Sequence, residues 1–153
     1  MGAFACVPEE IPDRYASVVD LYLPTPGLNT DEPFMNPERA LGPPDGRTVA
    51  LARGSALVLR FFQPIHDVEG ADLSVLEVGP LDEASAVVAA SSNGERFHVF
   101  EHTAIAGRAS LFDLAEVGLE EASFIRLLGL DASIPASSTD DPGFDLDAVE
   151  AFQ

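Results

Sequence analysis

Residues Phe144–Phe152 read FDLDAVEAF, an alternation of apolar and acidic side chains that is typical of a β-strand. On such a strand the apolar residues share one face, and Asp145 and Asp147 share the other. The apolar face is formed by Phe144, Leu146 and Ala148. The two carboxylates are then about 7 Å apart along the strand. They repel each other, so the stretch predicts either an oxygen-ligated cation such as Ca²⁺ or the solvated face of an acidic protein.

Seven further short runs carry the same strand signal, and Pro and Gly separate most of them. They are Ser17–Leu23, Thr48–Ala52, Ser55–Phe62, Asp72–Val78, Ser85–Ser91, Arg96–Glu101 and Ser123–Leu128. Short strands at this spacing predict an all-β protein, a single antiparallel β-sandwich or jelly roll of about eight strands. Two helical turns are predicted beside them, one capped by Asn36 and one at Leu111–Val117, which Gly118 closes.

The chain has 153 residues, which is the length of one domain. We expect residues 1–16 to form a flexible N-terminal segment and residues 17–153 to form the sandwich. No apolar run is long enough for a membrane-spanning helix. The sequence therefore predicts one folded unit with a core of ordinary size.

The charge is strongly unbalanced, with 26 Asp and Glu against 8 basic residues, which gives a net charge of -18. All the basic residues are Arg. Such a chain repels phosphate backbones and anionic lipid, so we expect no nucleic-acid partner and only weak attraction to membrane surfaces, whereas cations are favoured. A halophilic or acid-rich proteome is the alternative source of this acidity, and it requires no binding site.

The single cysteine, Cys6, precedes a polar stretch near the N-terminus and excludes an internal disulfide. Its setting resembles the lipid-anchored cysteine of a bacterial lipoprotein, so Cys6 is a candidate lipidation site. An incidental free thiol is the alternative. No signal peptide precedes it in this sequence.

Two other carboxylates stand in special positions. Asp45 lies in the turn Pro43–Gly46, which presents one carboxylate and several carbonyls to a cation and which also needs no function to explain it. Glu77 falls on the apolar face of its strand, and a buried glutamate must be paired, protonated or bound to a metal. Arg126, inside another apolar strand, is its predicted ion-pair partner.

Catalytic motifs are scarce. The sequence has no nucleophile elbow and no phosphate-binding glycine loop. His98 and His102 are four residues apart, but on a strand that spacing does not bring them together as zinc ligands. We therefore predict a protein that is not an enzyme, with an acid-catalysed hydrolase as the remaining catalytic alternative.

The order of these motifs resembles that of bacterial secreted or cell-surface domains of the galactose-binding-like type, the discoidin and carbohydrate-binding-module jelly rolls. The resemblance rests on Ala40–Gly46, Gly54–Phe61, Glu69–Glu77, Val87–Phe97, Phe112–Leu119, Phe124–Leu127 and Gly143–Val149. It implies a structural Ca²⁺ near the joined chain ends, as well as an extracellular or cell-surface location. The ligands that it implies are Asp45, Asp72, Glu77, Asp145 and Asp147.

Two functions follow from these features. The first is a Ca²⁺-binding adhesion or carbohydrate-binding module on a bacterial cell surface, with a glycan or another surface protein as its partner. The second is a structural or protein-interaction subunit of a surface assembly or lipoprotein that has no affinity for glycans. The absence of Trp and the presence of only two Tyr weaken the glycan function, because sugar platforms use open aromatic faces.

Overall fold

The structure is a computed structural model that describes residues 12–25, 35–78, 84–130 and 144–152. These residues form nine β-strands and two short 3₁₀ turns. The strands are β1 (Val18–Leu23), β2 (Val49–Leu51), β3 (Ala56–His66), β4 (Leu73–Glu77), β5 (Ser85–Ser91), β6 (His98–Ile105), β7 (Ala109–Phe112), β8 (Glu121–Leu130) and β9 (Phe144–Ala151). All eight strands predicted from the sequence are present; Ser85–Ser91 has the predicted ends, and the other seven differ at one or both ends.

The strands build two sheets in which every pair is antiparallel. One sheet has five strands in the order β1-β3-β8-β5-β6, and the other has four in the order β2-β9-β4-β7. The predicted antiparallel β-sandwich is therefore confirmed. Most neighbours in both sheets are distant in the sequence, so the two sheets assemble from long-range pairing.

The core lies between the inner faces of the two sheets, as the alternation of side chains requires. Leu59 of β3 and Leu127 of β8 are buried on the five-stranded side, and Val75 of β4 and Phe144 of β9 are buried on the four-stranded side. Leu and Phe side chains of this kind each contribute about 2 kcal/mol when they are buried. The core therefore fixes which face of each strand points outward.

Both helical turns are present as 3₁₀ turns. The first, Pro37–Ala40, is capped by Asn36, which accepts a hydrogen bond from the Glu38 amide. The second is shorter than predicted and covers Leu114–Val117, because Asp113 caps it and the preceding residues pair with β4 as strand β7. It ends at Gly118, whose φ of 73° lies in the left-handed region that favours glycine.

The ordered domain begins before residue 17, which corrects the boundary predicted from the sequence. Tyr15 pairs with Glu150 across an isolated bridge, and both Tyr15 and Ala16 are buried. The amide of Ala16 donates to the carbonyl of Val149. These contacts add a short segment to the edge of β9. Cys6, the candidate lipidation site, lies outside the described residues.

Candidate functional site

Asp72 lies immediately before β4 and is 1% exposed. Its Oδ1 accepts a hydrogen bond from the Val68 amide at 2.7 Å, and its Oδ2 accepts one from the Leu114 amide at 2.7 Å. One carboxylate therefore ties the loop after β3 to the start of the second 3₁₀ turn.

Asp67 and Asp113 lie beside Asp72, and one carboxylate oxygen from each of the three is within 4.8 Å of the others. Asp113 also caps the second 3₁₀ turn, since its Oδ1 accepts from the Ala115 amide at 3.0 Å. Local desolvation raises the pKa of the Asp67 carboxyl, although the side chain is exposed, and the negative charges of Asp72 and Asp113 raise it further. None of the three carboxylates forms an ion pair within the described residues.

This acidic cluster, defined as Asp67, Asp72 and Asp113, offers the oxygen ligands that Ca²⁺ and Mg²⁺ prefer. Of its members the sequence predicted only Asp72 as a ligand. Asp67 directly follows the long strand β3, and Asp113 directly precedes a capped turn. Both residues therefore lie at the boundary between a regular element and a loop. This placement is the feature of the sequence that could have identified them as candidate ligands.

Asp147 occupies a β-bulge in β9, because Leu146 pairs with Glu77 and Ala148 pairs with the adjacent Leu76. Val149 and Ala151 consequently take the inward positions, which corrects the prediction that Ala148 continues the core face. A bulge redirects the side chain of the extra residue. Asp147 is thereby aimed at the Pro43–Gly46 turn.

The carboxylate of Asp147 accepts hydrogen bonds from the amides of Asp45 and Gly46, at 3.2 and 3.0 Å. Burial raises the pKa of Asp147, the two amides lower it, and the nearby Asp45 carboxylate raises it, with a net upward shift. Asp45 itself accepts from the Arg47 amide at 2.9 Å. Two of the predicted ligands thus meet, and backbone amides are their hydrogen-bond donors.

Glu77 is buried at the end of β4, as its alternation predicted. Its Oε1 accepts from the Gly107 amide at 2.9 Å, and its Oε2 accepts from the Asp145 amide at 3.0 Å. The predicted ion pair between Glu77 and Arg126 is wrong, because Arg126 lies on the outer side of the other sheet. Asp145 is buried and points away from the core beside Ala50.

The five predicted ligands do not surround one point. Asp72 and Glu77 lie at opposite ends of β4, about 16 Å apart at the usual rise of a strand. One cation cannot contact both residues. Asp72 belongs to the acidic cluster, whereas Glu77 and Asp145 are joined through a backbone amide at the other end of β4.

The outer side of the five-stranded sheet differs from the rest of the molecule in its concentration of exposed apolar side chains. Its paired positions form three rows across the sheet. The rows are Leu23–Ala56–Leu128–Val87–Thr103, Leu21–Val58–Arg126–Ala89–Val99 and Val18–Arg60–Phe124–Ser91. A short fourth row, Leu130–Ser85–Ile105, completes what we call the outer face.

The four rows are mostly apolar and contain no carboxylate, but two glutamates lie beside them on the same side of the sheet. Glu101 lies between Val99 and Thr103 on β6, and Glu121 pairs with His66 beyond the third row. Leu21 and Leu23 are exposed at one edge, and Val99 and Ile105 are exposed at the other. With Leu130 and with Phe62, which follows Arg60 in the same alternation, the face holds six of the ten large hydrophobic side chains that are exposed in the described residues. A concentration of this kind marks an interaction surface more often than chance exposure does.

Only two charged residues occupy these rows, Arg60 and Arg126. The guanidinium of Arg60 lies 5.6 Å from the ring centroid of Phe124, and that of Arg126 lies 4.8 Å from the ring centroid of Phe97. The Nε of Arg126 is buried and makes no hydrogen bond within the described residues. Both guanidinium groups therefore lie over aromatic rings, within cation–π distance.

Comparison of the chain with protein-family models, with curated proteins and with solved structures gives no match. The described residues contain no helix with the length and apolarity needed to span a membrane. The functional argument therefore depends on the acidic cluster and the outer face themselves.

Proposed function

We propose that this chain is a non-enzymatic binding module that holds a protein partner on the outer face of its five-stranded sheet. The observation that carries the proposal is the concentration of exposed aliphatic side chains on that face, in a chain with a net charge of -18. Exposed Leu, Val and Ile side chains gain free energy when a partner removes them from water. Of the two functions suggested by the sequence, this favours the protein-interaction subunit.

Two aromatic rings at the face are unsuited to a glycan platform, whereas Phe62, which is 65% exposed, presents an open ring. A sugar ring stacks on an open aromatic face, but Arg60 covers the ring of Phe124 and Arg126 covers the ring of Phe97. The remaining members of the face are mostly aliphatic. Such a surface suits protein side chains, which pack by shape and apolar area.

The test uses two unbiased probes, a glycan array with and without EDTA and a phage library of random dodecapeptides. Val99→Ser alters the outer face, and Leu111→Ser is its matched control on β7 of the other sheet. The two side chains are 51% and 53% exposed. We expect peptides that bind the wild type and Leu111→Ser but not Val99→Ser, and no glycan binding. Glycan binding without any peptide that depends on Val99 would overturn the proposal.

We further propose that the module binds one Ca²⁺ as a structural cation at the acidic cluster. Three carboxylates that converge without a cationic side chain support this proposal, because a divalent cation would remove their mutual repulsion. Extracellular modules bind Ca²⁺ with dissociation constants of about 0.1–1 mM, so a cell-surface location fits a site of this kind.

Melting curves with millimolar Ca²⁺ and after prolonged dialysis against EDTA test this second proposal. Saturation at a hundredfold excess over Kd adds about 2.7 kcal/mol. At about 2–4 °C per kcal/mol, Tm should rise by several degrees. Asp67→Asn should abolish the rise and Asp45→Asn should preserve it. The reverse pattern would instead place the cation at the Pro43–Gly46 turn, and an unchanged Tm in the wild type would exclude a structural Ca²⁺.

A further inference from the structure

We propose that the partner on the outer face is a protein segment that combines apolar side chains with a carboxylate, and that Arg126 is the residue that binds this carboxylate. The inference rests on the proposed function, since it names the chemistry of the partner at the same surface. It follows from three features of the face: the position of Arg126, its lack of an acidic partner, and the distribution of charge around it.

Arg126 occupies the middle of the outer face. It lies on the central strand β8, where Val58 of β3 and Ala89 of β5 flank it, and its row ends at Leu21 and Val99 on the two edge strands. Residues that dominate the binding energy of protein interfaces cluster at the centre and are enriched in Arg. The apolar side chains around it would exclude water from a salt bridge formed there.

No carboxylate forms an ion pair with Arg126 or Arg60 in the part of the chain that the structure describes. Arg47, Arg53, Arg96 and Arg108 lack one there as well, so Arg126 differs from them in its central position and its buried Nε rather than in being unpaired. The buried Nε without a hydrogen bond shows that the guanidinium is already partly removed from water. A carboxylate from a partner would form charge-assisted, bidentate hydrogen bonds with its remaining N–H groups.

The distribution of charge selects against other occupants. A basic segment would be drawn to the acidic remainder of the surface and repelled by Arg60 and Arg126. A second copy that packs face to face would bring the two central Arg126 side chains together. The overall charge of -18 opposes an acidic segment only weakly at close range, because physiological salt screens charges beyond about 8 Å. An anionic membrane presents its charge over a wide surface, so the same net charge opposes it strongly.

The experiment takes the dodecapeptides selected on the wild-type chain, synthesises the tightest binders and measures their affinity for Arg126→Gln, Arg126→Lys and Arg47→Gln. Arg47 is an exposed arginine near the Pro43–Gly46 turn and provides the matched control. We expect the peptides to contain Asp or Glu among Leu, Val and Phe. Arg126→Gln should weaken binding by at least about tenfold. The affinity for Arg126→Lys should lie between the affinities for Arg126→Gln and the wild type. Arg47→Gln should change the affinity less than about twofold.

Each alternative result has a separate meaning. Peptides that lose binding in Val99→Ser but lack acidic residues and tolerate Arg126→Gln would overturn this inference and leave the proposed function intact. The absence of any peptide that depends on Val99 would overturn the proposed function. A concentration-dependent dimer in sedimentation velocity that Val99→Ser abolishes would identify a second copy as the occupant and overturn the inference. A Tm for Arg126→Gln within about 3 °C of the wild type confirms that the variant is folded.

Discussion

The outward sides of the two sheets carry different charged side chains. On the four-stranded sheet, Asp145 and Asp147 point away from the core and are nevertheless buried, and Asp147 accepts two amide hydrogen bonds from the Pro43–Gly46 turn. On the five-stranded sheet, the outward rows carry no carboxylate and two arginines without an ion pair in the described residues, and Glu101 and Glu121 lie beside these rows. Carboxylates are thus buried on one side, whereas the other side is the surface that we propose for binding.

This comparison distinguishes carboxylates that stabilise the fold from the surface that we propose binds a partner. Asp72, Glu77 and Asp147 each accept hydrogen bonds from two backbone amides, and at least one amide in each pair belongs to a distant segment of the chain. Such bonds connect loops to the sheet and are formed within the folded protein itself. On the outer face, the exposed aliphatic side chains lie towards the edges, and Arg126 makes no ion pair in the described residues, although Val58 and Ala89 beside it are already buried. If this division is correct, substitutions on the two sides should affect different measurements.

The largest effect on stability should come from Asp72→Asn. An amide nitrogen would replace one of two buried oxygens and would face the N–H of Val68 or Leu114, leaving a buried donor without an acceptor. We expect a loss of about 3 kcal/mol, measured by urea unfolding. Glu116→Gln is the control, because its ion pair with His102 is half exposed and should contribute no more than about 0.5 kcal/mol. Equal effects of the two changes would refute a structural role for Asp72.

Asp147→Ala should have the next largest effect, a loss of about 1.5 kcal/mol, because two amide hydrogen bonds to one carboxylate disappear. Water can reach the exposed turn of Asp45 and Gly46, so the loss is smaller than for Asp72. The same loss should appear in EDTA and in millimolar Ca²⁺. A loss that appears only with Ca²⁺ would mean that Asp147 is a metal ligand, as the sequence had predicted.

Asp67→Asn should have a smaller effect of opposite sign. The raised pKa means that the folded state binds more protons than the unfolded state between the ordinary Asp value of 3.8 and the raised value. Stability therefore falls as the pH rises through that window. In EDTA the stability of Asp67→Asn should not decrease as the pH rises through that window. Its Tm at pH 7 should be slightly higher than that of the wild type. A pH profile identical to that of the wild type would refute the repulsion within the acidic cluster.

The smallest effect on stability should come from Val99→Ser, because the side chain is half exposed and at the edge of its sheet. The change in unfolding free energy should stay within about 0.5 kcal/mol. Peptide binding should nevertheless be lost. If stability and binding fell together by a large amount, the outer face would be part of the fold rather than a surface for a partner.

The sequence predicts the strands well, because alternation is a local property of each strand. It identifies Asp145 and Glu77 as unusual acids for the same reason. The bulge at Asp147 depends on how β9 pairs with β4, and β7 depends on pairing with the opposite edge of β4. Neither pairing is encoded within a single strand.

The functional surfaces were harder to predict. The acidic cluster joins residues 67, 72 and 113 through two loops, and its convergence depends on the path of those loops. The outer face requires the order β1-β3-β8-β5-β6, in which β8 lies between β3 and β5, strands that are distant from it in the sequence. Arg126 is visible in the sequence, but only this order shows that it is surrounded by aliphatic side chains rather than paired with Glu77.

Methyl NMR of the chain titrated with a selected acidic peptide tests the central claim most directly, since it reports on Leu, Val and Ile side chains individually. The claim predicts that the methyl signals of Leu21, Val58, Leu128 and Val99 shift with peptide concentration and that those of Leu111 remain in place. Shifts at Leu111 with unchanged signals across the outer face would contradict it.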